Sequence, residues 1–210
     1  MAKKNTIVDW NESLKPLFKK YKGRKHPLEY ENAYQLIVMI VLSARASDVL
    51  VNNLAPEFFK KYPTVKHLSK AKPLELHPLL RVPGFRKKAE WIVDIAQTLN
   101  KLPEVPTTID ELTKLKGFGR KSANVYMSQT GLPAEGVIVD LHTLRVSPRL
   151  GIAEGTDPKK IEQQLMKSVD KKNWHILGMS LTYLGRETCR PTNPKCHECV
   201  MNTVCSFYNK

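Results

Sequence analysis

The chain has 210 residues, enough to bury a good core as one domain or as two small ones. Its 34 Lys and Arg stand against 20 Asp and Glu, a formal net charge of +14. That excess points to a polyanionic partner, with nucleic acid ahead of a membrane surface. No long basic amphipathic helix is evident to serve a membrane surface. The longest apolar run, residues 36–42, is far too short to span a bilayer. Residues 1–5, Met-Ala-Lys-Lys-Asn, lack the apolar segment that follows in a signal peptide. The expectation is a cytoplasmic protein, nucleoid-associated if prokaryotic, with no membrane partner.

In chain order, residues 1–25 are polar and basic, with Trp10, Leu14, Leu17, Phe18 and Tyr21 at roughly helical spacing. They read as a first helix ending in a lysine-rich stretch, either a solvated face or a DNA contact. Residues 32–44 are apolar nearly all round and fit a buried strand or a buried helix equally well. Helices are expected at 50–62 and 73–80. Arg86, Lys87 and Lys88 then form the densest basic cluster, suited to phosphates, with a helix at 89–99 after it.

Thr108-Ile-Asp-Glu111 has the form of a capping box, with Ile109, Leu112 and Leu115 behind it. Next comes the turn Leu115-Lys116-Gly117-Phe118-Gly119. Its glycines lack a Cβ, so the backbone can reach positive φ and let a large anion come close. Arg120 opens a helix over 120–130, whose Ala123, Tyr126 and Met127 share one face. A glycine turn feeding a helix N-terminus is a ready anion site. The plainer reading is a helix hairpin whose glycines only close the turn. Lys121 stands at the start of that helix, and a loop through Gly131 and Pro133 leads to Asp140, which closes an apolar run. Taken alone, Lys121 would read as a phosphate contact and Asp140 as a helix N-cap. Further helices are expected at 141–150, 158–169 and 174–188. His142 reads as structural.

All four cysteines lie between 189 and 205, which in a reducing compartment favours a metal site over disulfides. Cys189, Cys196, Cys199 and Cys205 are separated by six, two and five residues. Four thiolates so spaced suit a tetrahedral zinc or a four-iron cluster, and base rates alone favour zinc. His197 is a bystander, because the ligand count is already full.

The run Leu115-Lys-Gly117-Phe-Gly119-Arg-Lys121-Ser-Ala123-Asn-Val125, with Gly131-Leu-Pro133 and Val139-Asp140-Leu-His142, resembles a known signature. It is the helix–hairpin–helix plus Gly/Pro…Asp signature of the endonuclease III superfamily of DNA glycosylases. The likeness runs from about Glu31 to Cys205. It implies that residues 32–44 are a central buried helix and that Lys121 and Asp140 are the catalytic pair. The chemistry suits both residue types. A lysine amine can attack C1′ and form a Schiff base, after which β-elimination cuts the strand. A carboxylate stabilises the developing oxocarbenium charge and can accept the nucleophile's proton. The helix macrodipole at Lys121 favours the neutral amine.

The resemblance also implies a [4Fe–4S] cluster on the four cysteines, fixing a loop whose Arg190 and Lys195 meet the DNA backbone. Where this family commonly has a glutamine that fills the gap left by a flipped base, the chain has Arg45. Arginine can stack and hydrogen-bond there too. Phe85 matches the family's apolar wedge, in a loop one residue shorter than expected between Gly84 and Lys88-Ala89. Asp48 matches a structural acid. Leu184-Gly185-Arg186 departs from the His-Gly-Arg of the nearest family members.

The expected fold is all-α in two lobes, with DNA in the cleft between them. One lobe is 26–134; the other joins 1–25 to 135–210, with the cluster loop at 189–205. The expected activity is that of a monomeric, bifunctional glycosylase and AP lyase acting on oxidised pyrimidines in double-stranded DNA with a damaged base or abasic site. Two rivals are a same-fold glycosylase for another lesion, such as adenine opposite oxidised guanine, and a non-catalytic helix–hairpin–helix DNA binder. Lys121 argues against the monofunctional adenine enzymes, which usually carry Ser or Tyr there.

Overall fold

The computed structural model describes residues 8–209, so the reading of residues 1–5 lies outside it. Secondary structure among the described residues is entirely helical: the fold is all-α, and no helix is long and apolar enough to cross a membrane. The chain divides into two compact units, one of residues 25–135 and one of residues up to 24 together with 136 onward.

The 25–135 unit is built on α3 (Ala33–Ser43), in which every residue from Tyr34 to Leu42 is buried. A stretch apolar on all sides is stable only when covered on all sides, and α4 (Asp48–Lys61), α7 (Phe85–Leu99) and α9 (Arg120–Thr130) supply the cover. Burying Leu36, Ile37, Met39 and Leu42, each fully enclosed, contributes about 1.5–3 kcal/mol apiece. Short helices α5 (Val65–Ser69) and α6 (Pro73–Leu76) pack on α7, and α8 (Ile109–Leu112) on α9. The structure departs from expectation here in three places. Residues 65–69 form a helix where a turn was expected, and the helix from Pro73 stops at Leu76 instead of running to 80. Helix α7 begins at Phe85, four residues early, because Gly84 caps it at φ 70 and its carbonyl takes the Lys88 N–H at 3.0 Å.

In the other unit the N-terminal helix is broken into α1 (Trp10–Ser13) and α2 (Lys15–Tyr21). Pro16, in the first turn of α2, cannot donate the backbone hydrogen bond that would continue α1. Helix α10 (Leu141–Leu150) lies along α12 (Trp174–Glu187), with α11 (Pro158–Ser168) against α10 and α2 against α12. Leu14, Leu17, Val146, Leu150, Leu181 and Leu184 form its core. The two long helices approach closely: a Cβ placed on Gly185 would stand 2.7 Å from the Cβ of His142.

Candidate functional site

The hairpin in the 25–135 unit starts with a formed capping box. Thr108 caps α8 by accepting the Glu111 N–H at 3.3 Å, and the Glu111 carboxylate takes the Thr108 hydroxyl at 2.9 Å. Leu115 and Phe118 turn inward and anchor the loop. Phe118 is only 2% exposed, so its side chain is core and cannot meet DNA; only its backbone can. Gly117 has φ 73, and a Cβ there would lie 2.4 Å from Cε3 of Trp91, so both the dihedral and the close approach demand glycine. Gly119 differs. It is the N-cap of α9 with extended backbone, no side chain caps the helix, and a Cβ there would meet nothing within 4 Å. The space beside Gly119 at the helix end is therefore clear, which suits an anion site.

Lys121 follows on the exposed side of the first turn of α9, while Ala123 to Met127 are buried. Arg120 is half-buried, its guanidinium 3.5 Å from the Glu135 carbonyl. Lys116 is exposed and pairs with Asp94 at 2.9 Å.

Two further turns of the same unit carry expected DNA contacts. Helix α3 ends in a turn of type II form: Ala46 N–H returns to Ser43 O at 3.0 Å, Ala44 has φ −59 and ψ 115, and Arg45 has φ 56. The third position of such a turn belongs by preference to glycine. An arginine there costs about 1–2 kcal/mol. Arg45 is exposed at the tip. In the Gly84 turn, Phe85 is half-buried with its ring edge-on to His77 at 5.1 Å, while Arg86 and Lys87 are exposed. Lys87 pairs with Glu90 at 2.9 Å.

Lys88 overturns the expectation of a surface cation. It is 4% exposed, and its ammonium donates to the carbonyls of Leu42 at 2.9 Å and Ala44 at 2.6 Å, at the end of α3. Within one helical turn of α7, Arg86 and Lys87 face outward and Lys88 inward. Burial pulls the Lys88 pKa down. A charge-assisted hydrogen bond of about 1.5–3 kcal/mol is enough to offset the cost of the left-handed arginine.

Asp140 lies in the other unit as the N-cap of α10, half-buried. Its Oδ1 accepts the N–H groups of His142 at 2.9 Å and Thr143 at 2.8 Å, so the cap leaves Oδ2 unused. The segment leading to it, Val137 to Val139, is buried, and Glu162, 5% exposed, accepts the Val137 N–H at 3.1 Å. His142 is half-buried 3.2 Å from the Arg145 guanidinium. Burial lowers its pKa against the pull of Asp140, with Arg145 and Arg186 adding to the lowering.

The same unit gathers the cysteines. All four line one small cavity of ≈ 20 Å³ behind Leu184 and Tyr208. The Cys199 thiol is pushed up by burial first, and then by Cys205, Cys189 and Cys196 together, so the four sulfurs lie within electrostatic reach of one another. Among the described residues no three His, Cys, Asp or Glu side chains are grouped as around a metal ion. Four thiols lining one cavity are a donor set that suits either a zinc ion or a four-iron cluster.

Two arginines that sequence reading passed over tie α10 to this loop. Arg145 donates to the carbonyls of Cys189 at 3.1 Å and Gly185 at 2.9 Å. Arg149 donates to Cys189 Sγ at 3.6 Å and to the carbonyls of Arg190 at 2.7 Å and Pro191 at 3.1 Å. Their four-residue spacing places them on one helix face, but only the fold shows what that face meets. Arg190 and Lys195 are exposed on the loop, Lys195 pairing with Glu198 at 3.2 Å.

Comparison with known proteins agrees with this geometry. Residues 38–171 match the family described as HhH-GPD superfamily base excision DNA repair protein. An endonuclease III of Synechocystis sp. is 36% identical over 197 residues, covering 92% of this chain and 90% of that one. An endonuclease III of Bacillus subtilis is 37% identical, covering 85% and 83%. Among solved structures, a non-covalent endonuclease III–DNA complex aligns with a TM-score of 0.85 at 33% identity, covering 94% of each chain. A trapped endonuclease III–DNA covalent intermediate aligns at 0.86 and 32% identity, with the same coverage. The chain belongs to the HhH-GPD superfamily of base excision DNA repair proteins and, within it, to the endonuclease III family.

Proposed function

We propose that this DNA glycosylase and AP lyase of base excision repair removes oxidised pyrimidines from duplex DNA, with Lys121 as nucleophile and Asp140 as its carboxylate partner. The observation that carries the reading is the hairpin: an open, uncapped helix end at Gly119, with an exposed lysine in the first turn behind it. A phosphate held at that end fixes the damaged strand beside the amine. The target nucleotide must leave the stack, since the bond to its sugar is unreachable inside the duplex.

Lys121 then attacks C1′, the base departs with the bonding pair and takes up a proton, and the amine closes to a Schiff base. Loss of the C2′ proton expels the 3′ phosphate by β-elimination. Asp140 stabilises the positive charge that builds on the sugar and accepts the proton the amine gives up. Its anchored Oδ1 holds Oδ2 in one direction for that work. Arg45 fills the gap left by the flipped base, Phe85 wedges the stack, and Lys116, Arg120, Arg86 and Lys87 neutralise phosphates.

Cys189, Cys196, Cys199 and Cys205 would hold a [4Fe–4S] cluster, which supplies rigidity: glycosidic cleavage transfers no electron. It fixes the loop that presents Arg190 and Lys195 to the DNA backbone. Arg45 in place of glutamine favours an altered opposite-base range, which keeps a sister specificity for another lesion in play. The enzyme works as a monomer inside the cell.

Borohydride trapping on a duplex with an abasic site tests the assignment. A covalent protein–DNA adduct formed by the native chain and lost in Lys121→Gln is expected. Absence of adduct from folded, DNA-binding protein would refute the lyase mechanism.

A further inference from the structure

The buried lysine of α7 has no part in the chemistry above, and its contacts show what it does. The carbonyl of Ala44 belongs to the central peptide of the turn at 43–46, the peptide whose orientation separates a type II turn from a type I turn. In type I that peptide flips, the third residue returns to negative φ, and the carbonyl swings away. Arginine at the third position prefers type I. The turn is type II nonetheless, with Arg45 at φ 56, and the Lys88 ammonium sits 2.6 Å from the carbonyl that would have to leave. Its second bond, to Leu42 O at 2.9 Å, covers the C-terminal end of α3, where a cation is favoured by the helix dipole.

Lys88 also belongs to the Gly84 turn, since its own N–H closes the first turn of α7 on Gly84 O at 3.0 Å. One residue therefore joins the Arg45 turn to the Phe85 turn from inside the unit. A solvent-exposed lysine would dilute such a constraint; this one is 4% exposed.

We propose that Lys88 is a positioning residue that locks the 43–46 turn in its type II form and thereby aims Arg45 into the space the flipped base leaves, against the orphaned base. The inference rests on the reading of Arg45 as the gap-filling residue. It adds an interior determinant of opposite-base recognition that touches neither base nor phosphate.

The test reads the orphaned base directly. A duplex carries a stable tetrahydrofuran abasic analogue opposite 2-aminopurine, whose fluorescence reports what stacks against it. Binding of the native protein changes that signal. Lys88→Met keeps the buried stem and removes the donors. At saturating protein it should lose most of the change, and affinity for the same duplex should fall about tenfold. Trapping on a single-stranded abasic oligonucleotide, which has no opposite base, should stay unchanged. In an Arg45→Gly background, where the turn is relaxed and the side chain absent, Lys88→Met should have no further effect on the signal.

A full fluorescence response in Lys88→Met overturns the proposal, as does a loss of the same size in both backgrounds. Should Lys88→Met not fold, Lys88→Gln retains one donor group and should give an intermediate response; a native response there overturns the proposal equally. A native protein that gives no signal removes the gap-filling role and this inference with it. A native protein that signals and shows the coupling, yet traps no abasic site, leaves this inference standing and refutes the lyase reading instead.

Discussion

Gly117 and Gly119 stand two residues apart in one turn, and the structure predicts opposite failures for them. Gly117→Ala forces a non-glycine residue to φ 73, which costs about 1–2 kcal/mol. Its Cβ would also lie 2.4 and 2.5 Å from two atoms of the Trp91 ring, so ring or turn must move. Overpacking of that kind costs about 1–3 kcal/mol. Reduced freedom of the unfolded chain returns about 0.4–1 kcal/mol, leaving a net loss of roughly 1–4.5 kcal/mol. For a chain of this size each kcal/mol moves the midpoint by about 2–4 °C, so Tm should fall by roughly 2–18 °C.

Gly119→Ala meets no such barrier, because φ is −82 and the methyl has open space. Alanine is a poorer N-cap than glycine by a margin of about 0.5–1 kcal/mol, which the unfolded-state term offsets. Stability should therefore stay within about 0.5 kcal/mol of native. The new methyl would instead intrude on the proposed phosphate site, and affinity for abasic duplex should drop about tenfold. Thermal melts and fluorescence anisotropy on both variants decide the matter. An unchanged Tm for Gly117→Ala, or native DNA affinity for Gly119→Ala, would refute the account of this turn.

Asp140 caps α10 and, in the proposed mechanism, also serves as the carboxylate at the sugar. Asp140→Asn keeps an N-cap and should melt near native, whereas Asp140→Ala should lose about 1 kcal/mol; both should slow base release by about 10²-fold or more, measured in single turnover. A fast Asp140→Asn would remove the carboxylate from the mechanism. Anaerobically purified protein should contain iron and inorganic sulfide in equal amounts, and Cys199→Ser should lose the visible absorption and lower the Tm. Zinc in place of iron would overturn the cluster assignment.

Burial and the neighbouring Arg145 and Arg186 hold the His142 pKa below its ordinary value, against the pull of Asp140. The unfolded chain therefore binds that proton more readily than the folded one. The stability from neutral His142 is complete above about pH 6.5 and is lost as pH falls below it. Melts between about pH 7.5 and 5.5 should show a steeper decline for the native protein than for His142→Gln. Parallel curves would refute it.

Much of the local structure is written in the amino-acid order. Helices α9 and α10 begin and end where capping and glycine punctuation place them, since those signals act within a few residues. Net charge and the hairpin motif likewise point to DNA without any tertiary information. Three features needed the fold. Residues 33–43 are apolar on every side, so no periodicity separates helix from strand; three covering helices decide it. Arg86, Lys87 and Lys88 are identical in charge, and only the packing of α7 on α3 sends two outward and buries the third. Arg45 at positive φ runs against its local preference and was invisible in the sequence, because the lysine that holds it lies 43 positions further along the chain, at 88. Short-range signals specify the elements, whereas the interior side of a basic cluster and the aim of a strained turn depend on partners brought together only by packing.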